Sequence, residues 1–257
     1  MVEGVYNLMK ITSVNNDLVK EAAKLQQRKY RDESGKFLLE GEKCVREAIQ
    51  YGITVEQLFI LEGEDNFGFK DAIETNEAVL SKISTTTSSP KVVGVAKQLK
   101  RDWKKDFKKL VLLENIKDAG NLGTILRSCC AFNVDGVILY GDTIDLYNPK
   151  CVRASVGNLW KVPVFNIKTF EELNKLCEDF LPIATLPKKG NTVWLKEFKP
   201  QNKMLIMFGA ESSGLSTELT NYAQQKGSAI TIEMSESVES LNLSISAGII
   251  LYKLFNE

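Results

Sequence analysis

The chain has 257 residues, 44% of them hydrophobic and 26% charged, with 33 lysines and arginines balanced by 33 acids and no histidine. The length exceeds the roughly 100 to 200 residues of a usual domain and predicts two domains of ordinary globular composition, while no apolar run approaches the ~18 residues of a membrane span. Without imidazole there is no Ser-His triad, no Cys-His pair, no histidine metal ligand and no base of near-neutral pKa, so any catalysis must draw on other groups.

The five cysteines, Cys44, Cys129, Cys130, Cys151 and Cys177, are odd in number and lack C-x-x-C spacing. They read as small reduced residues rather than as a disulfide framework or zinc site, and no metal is expected. The opening MVEGVYNLMK has neither a basic leader with an apolar block nor an Arg-rich presequence, which predicts no targeting signal and a cytoplasmic address. Charge is slightly uneven: residues 1–109 carry 19 bases against 17 acids and residues 110–257 carry 14 against 16, so the first part is the one expected to meet an anion.

In chain order, Asn15 or Asn16 is predicted to cap a helix running to about Gln27, with Leu18, Ala22 and Leu25 on one stripe. It leads into RKYR at 28–31, read as one exposed patch of Arg28, Lys29, Tyr30 and Arg31. A strand over 36–40, a helix over 42–50 stopped at Gly52 and a strand over 54–61 follow. An acidic loop, a helix over 71–83 and a strand over 91–96 complete a small α/β unit. The lysine-dense KQLKRDWKKDFKKL, 97–110, marks a change of composition and places the domain boundary near 107. Beyond it, strands at 110–114, 136–140, 162–166, 183–186, 203–208 and 229–233 alternate with helical stretches, which predicts a mostly parallel sheet covered on both faces.

Three stretches carry candidate chemistry. In LENIKDAGNLGTILRSCCAFNVDGVILY, 113–140, Asn121 is read as the cap of a helix whose face Leu122, Ile125, Leu126 and Cys129 packs on the sheet. Arg127 lies off that face and leans back over Gly123, toward a helix mouth where the amides of Asn115 and Asn121 gather, a place suited to a phosphate or oxyanion. Taken alone, the pattern fits a surface ion pair and turn-forming asparagines at least as well. The second stretch, MLIMFGAESSGLS, 204–216, is an apolar strand ending at Gly209 followed by Glu211 and Gly214; it is neither a P-loop nor G-x-G-x-x-G. The third, ITIEMSESVESLNLSISAGIILYKL, 230–254, passes from a strand through a polar loop to a helix read as starting near Ser240, with Asn242 in its first turn. That helix is apolar nearly all round, which predicts burial in a core or, preferably, a subunit interface.

These stretches in this order, joined by VRASVGNLWKVPV at 152–164 with its R-x-S-x-G spacing, resemble the motifs of the SpoU family of RNA ribose 2′-O-methyltransferases, TrmH-like members of the SPOUT class. The resemblance spans residues 110–255. The segment NNDLVKEAAKLQQRKYRDESGKFLLEGEKCVREAI is similar to the L30e-like substrate-binding domain that precedes the catalytic domain in rRNA-modifying members. The implied organisation is α/β throughout, an L30e-like RNA-binding domain at 1–107 and a parallel-sheet methyltransferase domain with a trefoil knot at 108–257.

The resemblance implies S-adenosyl-L-methionine as cofactor and Arg127, Asn121, Glu211, Ser240 and Asn242 as catalytic residues. It makes Gly209, Ile232, Leu241, Met234 and Thr185 the cofactor contacts. It also implies a homodimer through the C-terminal domain and RNA as partner, rRNA of the 23S type ahead of tRNA; a non-catalytic RNA-binding protein on the same fold is the alternative of a different class. Arg28, Lys29, Arg31, Lys104 and Lys105 are the expected RNA contacts, with Tyr30, Trp103 and Phe107 either stacking on bases or packing beneath the linker. Ala119 and Glu233 stand where the family pattern has prolines.

Overall fold

The computed structural model describes residues 9–188 and 190–255. From the N-terminus, β1 (Met9–Ile11), α1 (Asp17–Lys24), α2 (Arg28–Ser34), β2 (Lys36–Glu40), α3 (Glu42–Gln50), β3 (Val55–Leu61), β4 (Ile73–Thr75), α4 (Glu77–Ile83) and β5 (Val92–Lys97) form a mixed five-stranded sheet with helices. Its strand order is β1-β4-β3-β5-β2. After it come β6 (Lys109–Glu114), α5 (Ala119–Ala131), β7 (Gly136–Tyr140), α6 (Pro149–Ser155), β8 (Val164–Ile167), α7 (Phe170–Leu176), β9 (Leu181–Thr185), β10 (Val193–Trp194), β11 (Met204–Phe208), α8 (Thr217–Lys226), β12 (Ser228–Thr231) and α9 (Leu243–Phe255). Their seven strands are all parallel, in the order β10-β12-β9-β11-β6-β7-β8.

The chain divides into two compact units. One holds the described residues through Lys100 together with 145–160; the other holds 101–144 and 161–255. In the first, Val19 and Ala22 of α1 and Leu25 just after it pack with Phe59, Leu80, Ile83 and Val93, while Leu18 of the expected stripe is only partly buried against them. Two expectations need correction here. The helix read to Gln27 ends at Lys24, and Gln27 is extended; the Gln26 amide donates to the carbonyls of Ile83 and Ser84, so tertiary bonding of the chain there replaces a further helical turn. The helix read from Asp71 begins only at Glu77, six residues later, after β4, because Asn76 caps it by accepting from Val79 N.

Arg31 is the larger correction. It is 1% exposed, not part of a surface patch. Its Nε donates to Asp145 Oδ2 at 2.6 Å and its Nη1 to the carbonyls of Leu25 and Gln26 at 2.8 Å each. A buried guanidinium needs this complete set of acceptors, and removing one partner of such a pair costs about 3–5 kcal/mol. Arg31 therefore holds the fold, and the expectation that it contacts RNA is withdrawn.

The segment 145–160 supplies further contacts within this unit. Tyr147 stacks on Phe37 with centroids 4.7 Å apart and accepts from Leu99 N at 2.8 Å. Arg153 bonds the buried Glu40 carboxylate and, at 2.8 Å, Thr85 Oγ1. Gly157 has φ +72, and a Cβ there would lie 1.4 Å from Glu47 Oε2, so the R-x-S-x-G spacing has a packing cause in this chain.

In the second unit β7 and β11 are buried along their whole length and β6 from Leu110 onward, as the apolar runs LVLL, GVILY and MLIMF require for strands covered on both faces. The two-residue β10 at the sheet edge was not foreseen. Trp103, Phe107 and Phe165 form an aromatic cluster, Trp103 lying 5.4 Å from Phe107 and 5.0 Å from Phe165. Trp103 and Phe107 thus pack under the linker instead of standing free to stack on bases. No helix among the described residues is long and apolar enough to cross a membrane.

Candidate active site

The order of the parallel sheet fixes where a ligand can bind. After β8 at one edge, the chain returns across the sheet to build β9, β11 and β12 on the far side of β6. The strand order therefore reverses between β6 and β11, and loops leaving the carboxyl ends of such a pair open a crevice. The first candidate stretch follows β6, the second follows β11, and the third follows β12.

At the start of α5 the cap is Asp118, whose Oδ1 accepts from Asn121 N at 2.8 Å, and Ala119 is the first helical residue. Asn121 is thus the third residue of the helix and not its cap. A proline at Ala119 would be tolerated for the same reason, since that position has no helical use for its N–H. The Asp118 carboxylate answers the positive end of the helix, so the mouth is not a vacant anion hole. Asn115, expected there too, is turned away: its φ is +54 and its Oδ1 accepts from Asp142 N at 2.8 Å.

The Asn121 side chain has a different task. Its Nδ2 donates to Glu211 Oε1, and its Oδ1 accepts from Asn242 Nδ2 at 3.1 Å. A carboxylate only accepts, so Asn121 must present its NH2 to Glu211 and its oxygen to Asn242. The Asn242 oxygen in turn accepts from Ser244 N at 2.9 Å, capping α9. One polar line therefore ties together the three stretches. The helix read from Ser240 begins at Leu243, because Asn242 is its cap; Ser240 lies in the preceding exposed loop.

Glu211 sits at the tip of a closed turn. Ala210 N donates to Gly214 O at 3.1 Å and Gly214 N to Ala210 O at 2.8 Å, with Gly214 at φ +66. The limbs approach so closely that a Cβ on Gly209 would lie 2.0 Å from the Gly214 carbonyl carbon.

Beside this turn, over the ends of β9, β11 and β12, is a cavity of about 760 Å³. Thr185, Gly209, Ile232, Met234 and Leu241 all line it, as do Glu211, Ser240 and Asn242. Phe208, Ile230 and Ile250 form part of its apolar wall. Sequence reading missed Trp194, Leu186 and Pro187 in the lining, since a two-residue strand leaves no alternation to detect.

Arg127 is not brought to this cavity. It is exposed on α5, does not line the cavity, and has no hydrogen-bond or ion-pair partner among the described residues. Six residues along a helix separate it from Asn121 by about 9 Å and turn it to another side. The surface ion pair that competed with a functional reading is absent among the described residues, and so is a reach back to Asn121.

Of the expected RNA contacts, Arg28 and Lys29 are exposed and face Asp32 at 3.5 Å and Glu33 at 3.9 Å one turn on. Lys104 and Lys105 are exposed in the linker. No two of the five cysteines are joined in a disulfide. Burial pushes the Cys44 and Cys177 thiols up to about 12 and Cys129 higher still, so these three are not nucleophiles. No group of three or more potential metal ligands occurs among the described residues.

Residues 108–252, more than half of the chain, match the SpoU rRNA Methylase family. The chain belongs to that family. Residues 16–94 match the MRM3-like substrate binding domain. The chain is 30% identical over 264 aligned positions to an uncharacterised tRNA/rRNA methyltransferase of Synechocystis sp., covering 96% of this chain and 93% of the relative. It is 24% identical to the 23S rRNA (guanosine(2553)-2′-O)-methyltransferase of Bacillus subtilis, covering 96% and 99%. The AdoMet-bound rRNA methyltransferase from Sinorhizobium meliloti superposes with a TM-score of 0.85 at 29% identity, covering 96% and 97%. This family placement agrees with the seven-stranded parallel sheet and the smaller unit that precedes it.

Proposed function

We infer that the chain transfers a methyl group from S-adenosylmethionine to a ribose 2′-hydroxyl of RNA, with rRNA of the 23S type as substrate. The observation that carries this reading is the polar line Asn242–Asn121–Glu211 beside a cavity at the switch point of a parallel sheet. The cavity fits the cofactor: its volume lies within the ~300–1,000 Å³ of small-molecule sites, and apolar walls alternate with loop backbone, as a nucleoside needs. Thr185, Gly209, Ile232, Met234 and Leu241 are assigned to hold it. When bound, S-adenosylmethionine supplies an activated methyl whose leaving group departs neutral, so the protein's work is alignment and management of one proton.

Asn121, Glu211 and Asn242 order the cavity's rim, and Ser240 adds a hydroxyl to the same rim. Arg127 is assigned to stabilise the charge that develops on the ribose oxygen; a guanidinium hardly ever loses a proton, so a literal base is disfavoured. Its distance from the cavity has a natural resolution in a homodimer. Ile245, Ile249 and Tyr252 of α9 are 54%, 40% and 52% exposed, and α9 packs along α5, the helix that carries Arg127. A second copy covering that apolar face would set one copy's Arg127 against the other's cavity. Light scattering should therefore give about twice the 28.8 kDa chain mass; a monomer at micromolar concentration would contradict this. The trefoil knot of the SPOUT class is part of the same reading, as is a cytosolic setting for a chain with five reduced thiols. So is the functional division into an RNA-recognising stretch, 1–107, and a methyl-transferring one, 108–257.

The test is incubation with labelled S-adenosylmethionine and unmodified total RNA, followed by mapping of the modified ribose. Label in a large rRNA is expected; label in tRNA alone would move the substrate, and no label with no cofactor binding would reject the activity. For the RNA surface, Arg28, Lys29, Lys104 and Lys105 are retained. Reversing Lys104 and Lys105 to glutamate should lower affinity and reduce the slope of log K against log salt by about 1–2, since each lost phosphate contact removes nearly one released counterion. An unchanged slope relocates the surface.

A further inference from the structure

Among the described residues of the second unit, Glu114 is the only buried charged side chain, 3% exposed at the last position of β6. A carboxylate in such a place carries a desolvation cost that must be met by specific partners. Its Oε2 accepts from Ser216 N at 2.7 Å, a charge-assisted bond to the residue that caps α8. Burial and the hydrogen bond that it donates to Glu218 Oε2 at 2.8 Å hold the neighbouring Tyr140 phenol well above its ordinary range, and the nearby Glu218 and Glu114 carboxylates push the same way.

Ser216 ends the return limb of the turn that carries Glu211. The bonds between Ala210 and Gly214 pass that limb's position to the outgoing one, and Glu211 then meets Asn121. We propose that Glu114 is a positioning residue for methyl transfer: by gripping Ser216 N it sets the 209–216 turn and, through it, the Asn242–Asn121–Glu211 line. The proposal rests on the methyltransferase reading for its catalytic consequence, but not for its structural one. Glu114 is not among the residues lining the cavity, and its hydrogen bond goes to the turn at Ser216 and not to that line.

Two measurements test this. In amide exchange, Glu114→Ala should speed Gly214 and Ser216 at least about tenfold while the strands of the sheet keep their protection, and Glu114→Gln, whose carbonyl still accepts, should restore both. If Glu114→Ala does not fold, Glu114→Asp keeps the charge but shortens its reach, and should expose the same two amides. In kinetics, Glu114→Ala and Glu211→Ala should each lower kcat, and the double variant should fall within about threefold of Glu211→Ala alone, because residues acting through one element are not additive. Unchanged exchange at Gly214 and Ser216, or losses that multiply in the double variant, would overturn the assignment. A wild-type chain that neither binds S-adenosylmethionine nor transfers methyl would instead reject the enzymatic reading, and the exchange measurement would still decide the grip of Glu114 on the turn.

Discussion

Arg127→Ala is expected to lower methyl transfer by about 10²–10³-fold, the cost of removing one group that meets charge developing in a transition state. Binding of S-adenosylmethionine should stay within about twofold of the wild type, because Arg127 does not line the cavity. Stability should change little as well: the side chain is exposed and partnerless among the described residues, and such surface substitutions usually fall within ±0.5 kcal/mol. Arg127→Lys separates charge from planar fork geometry and should recover only part of the loss. Single-turnover rates and calorimetry check all of this, and full turnover by Arg127→Ala would remove the guanidinium from the mechanism.

Gly209→Ala should produce the opposite pattern. The φ of Gly209 is not in the left-handed region, so the effect is steric: the added methyl would meet the Gly214 carbonyl carbon at 2.0 Å and Leu215 N at 2.1 Å, both backbone atoms. Relieving that contact means parting the two limbs of the turn and with them one wall of the cavity. A stability loss of about 1–3 kcal/mol is expected from forced overpacking. Cofactor affinity should drop by at least about tenfold, the equivalent of ~1.4 kcal/mol. Calorimetry that returned wild-type affinity would show that the turn does not shape the binding site. Mixed together, the two variants report on subunit architecture. If Arg127 of one copy serves the cavity of the other, mixed dimers hold one intact composite site, and an equimolar mixture should regain about a quarter of wild-type activity in a two-fold assembly. If each copy uses its own Arg127, mixing regains nothing.

Most of the parallel sheet was legible because strands covered on both faces must be apolar throughout, as in VLL of β6 and LIMF of β11. What escaped depended on partners distant in sequence. Arg31 looks like one more base in RKYR until Asp145, 114 residues away, is placed beside it. The α5 cap was misassigned because Asp118 and Asn121 are both good caps and only the backbone shows which one turns. Glu114 reads as the polar end of a strand until Ser216 arrives from another. The polar line at the site was within reach in composition, since Asn121, Glu211 and Asn242 were all singled out, but their mutual bonding belongs to the tertiary fold. The position of Arg127 was not: leaning toward Gly123 describes a local direction and says nothing about which copy's cavity it faces.

The insertion of 145–160 into the first compact unit bears on how this chain can be cut or recombined. Ending a fragment at residue 107 would strip Asp145 from Arg31 and Arg153 from Glu40, leaving a buried guanidinium and a buried carboxylate each without its counter-ion. The N-terminal stretch is therefore not a transferable cassette: grafting it onto another catalytic partner would require carrying along a strip of sequence that is read only after the methyltransferase portion has already begun. Synthesis on the ribosome inherits the same constraint, with the first unit held incomplete until the residues through Trp160, β6, α5 and β7 among them, have emerged.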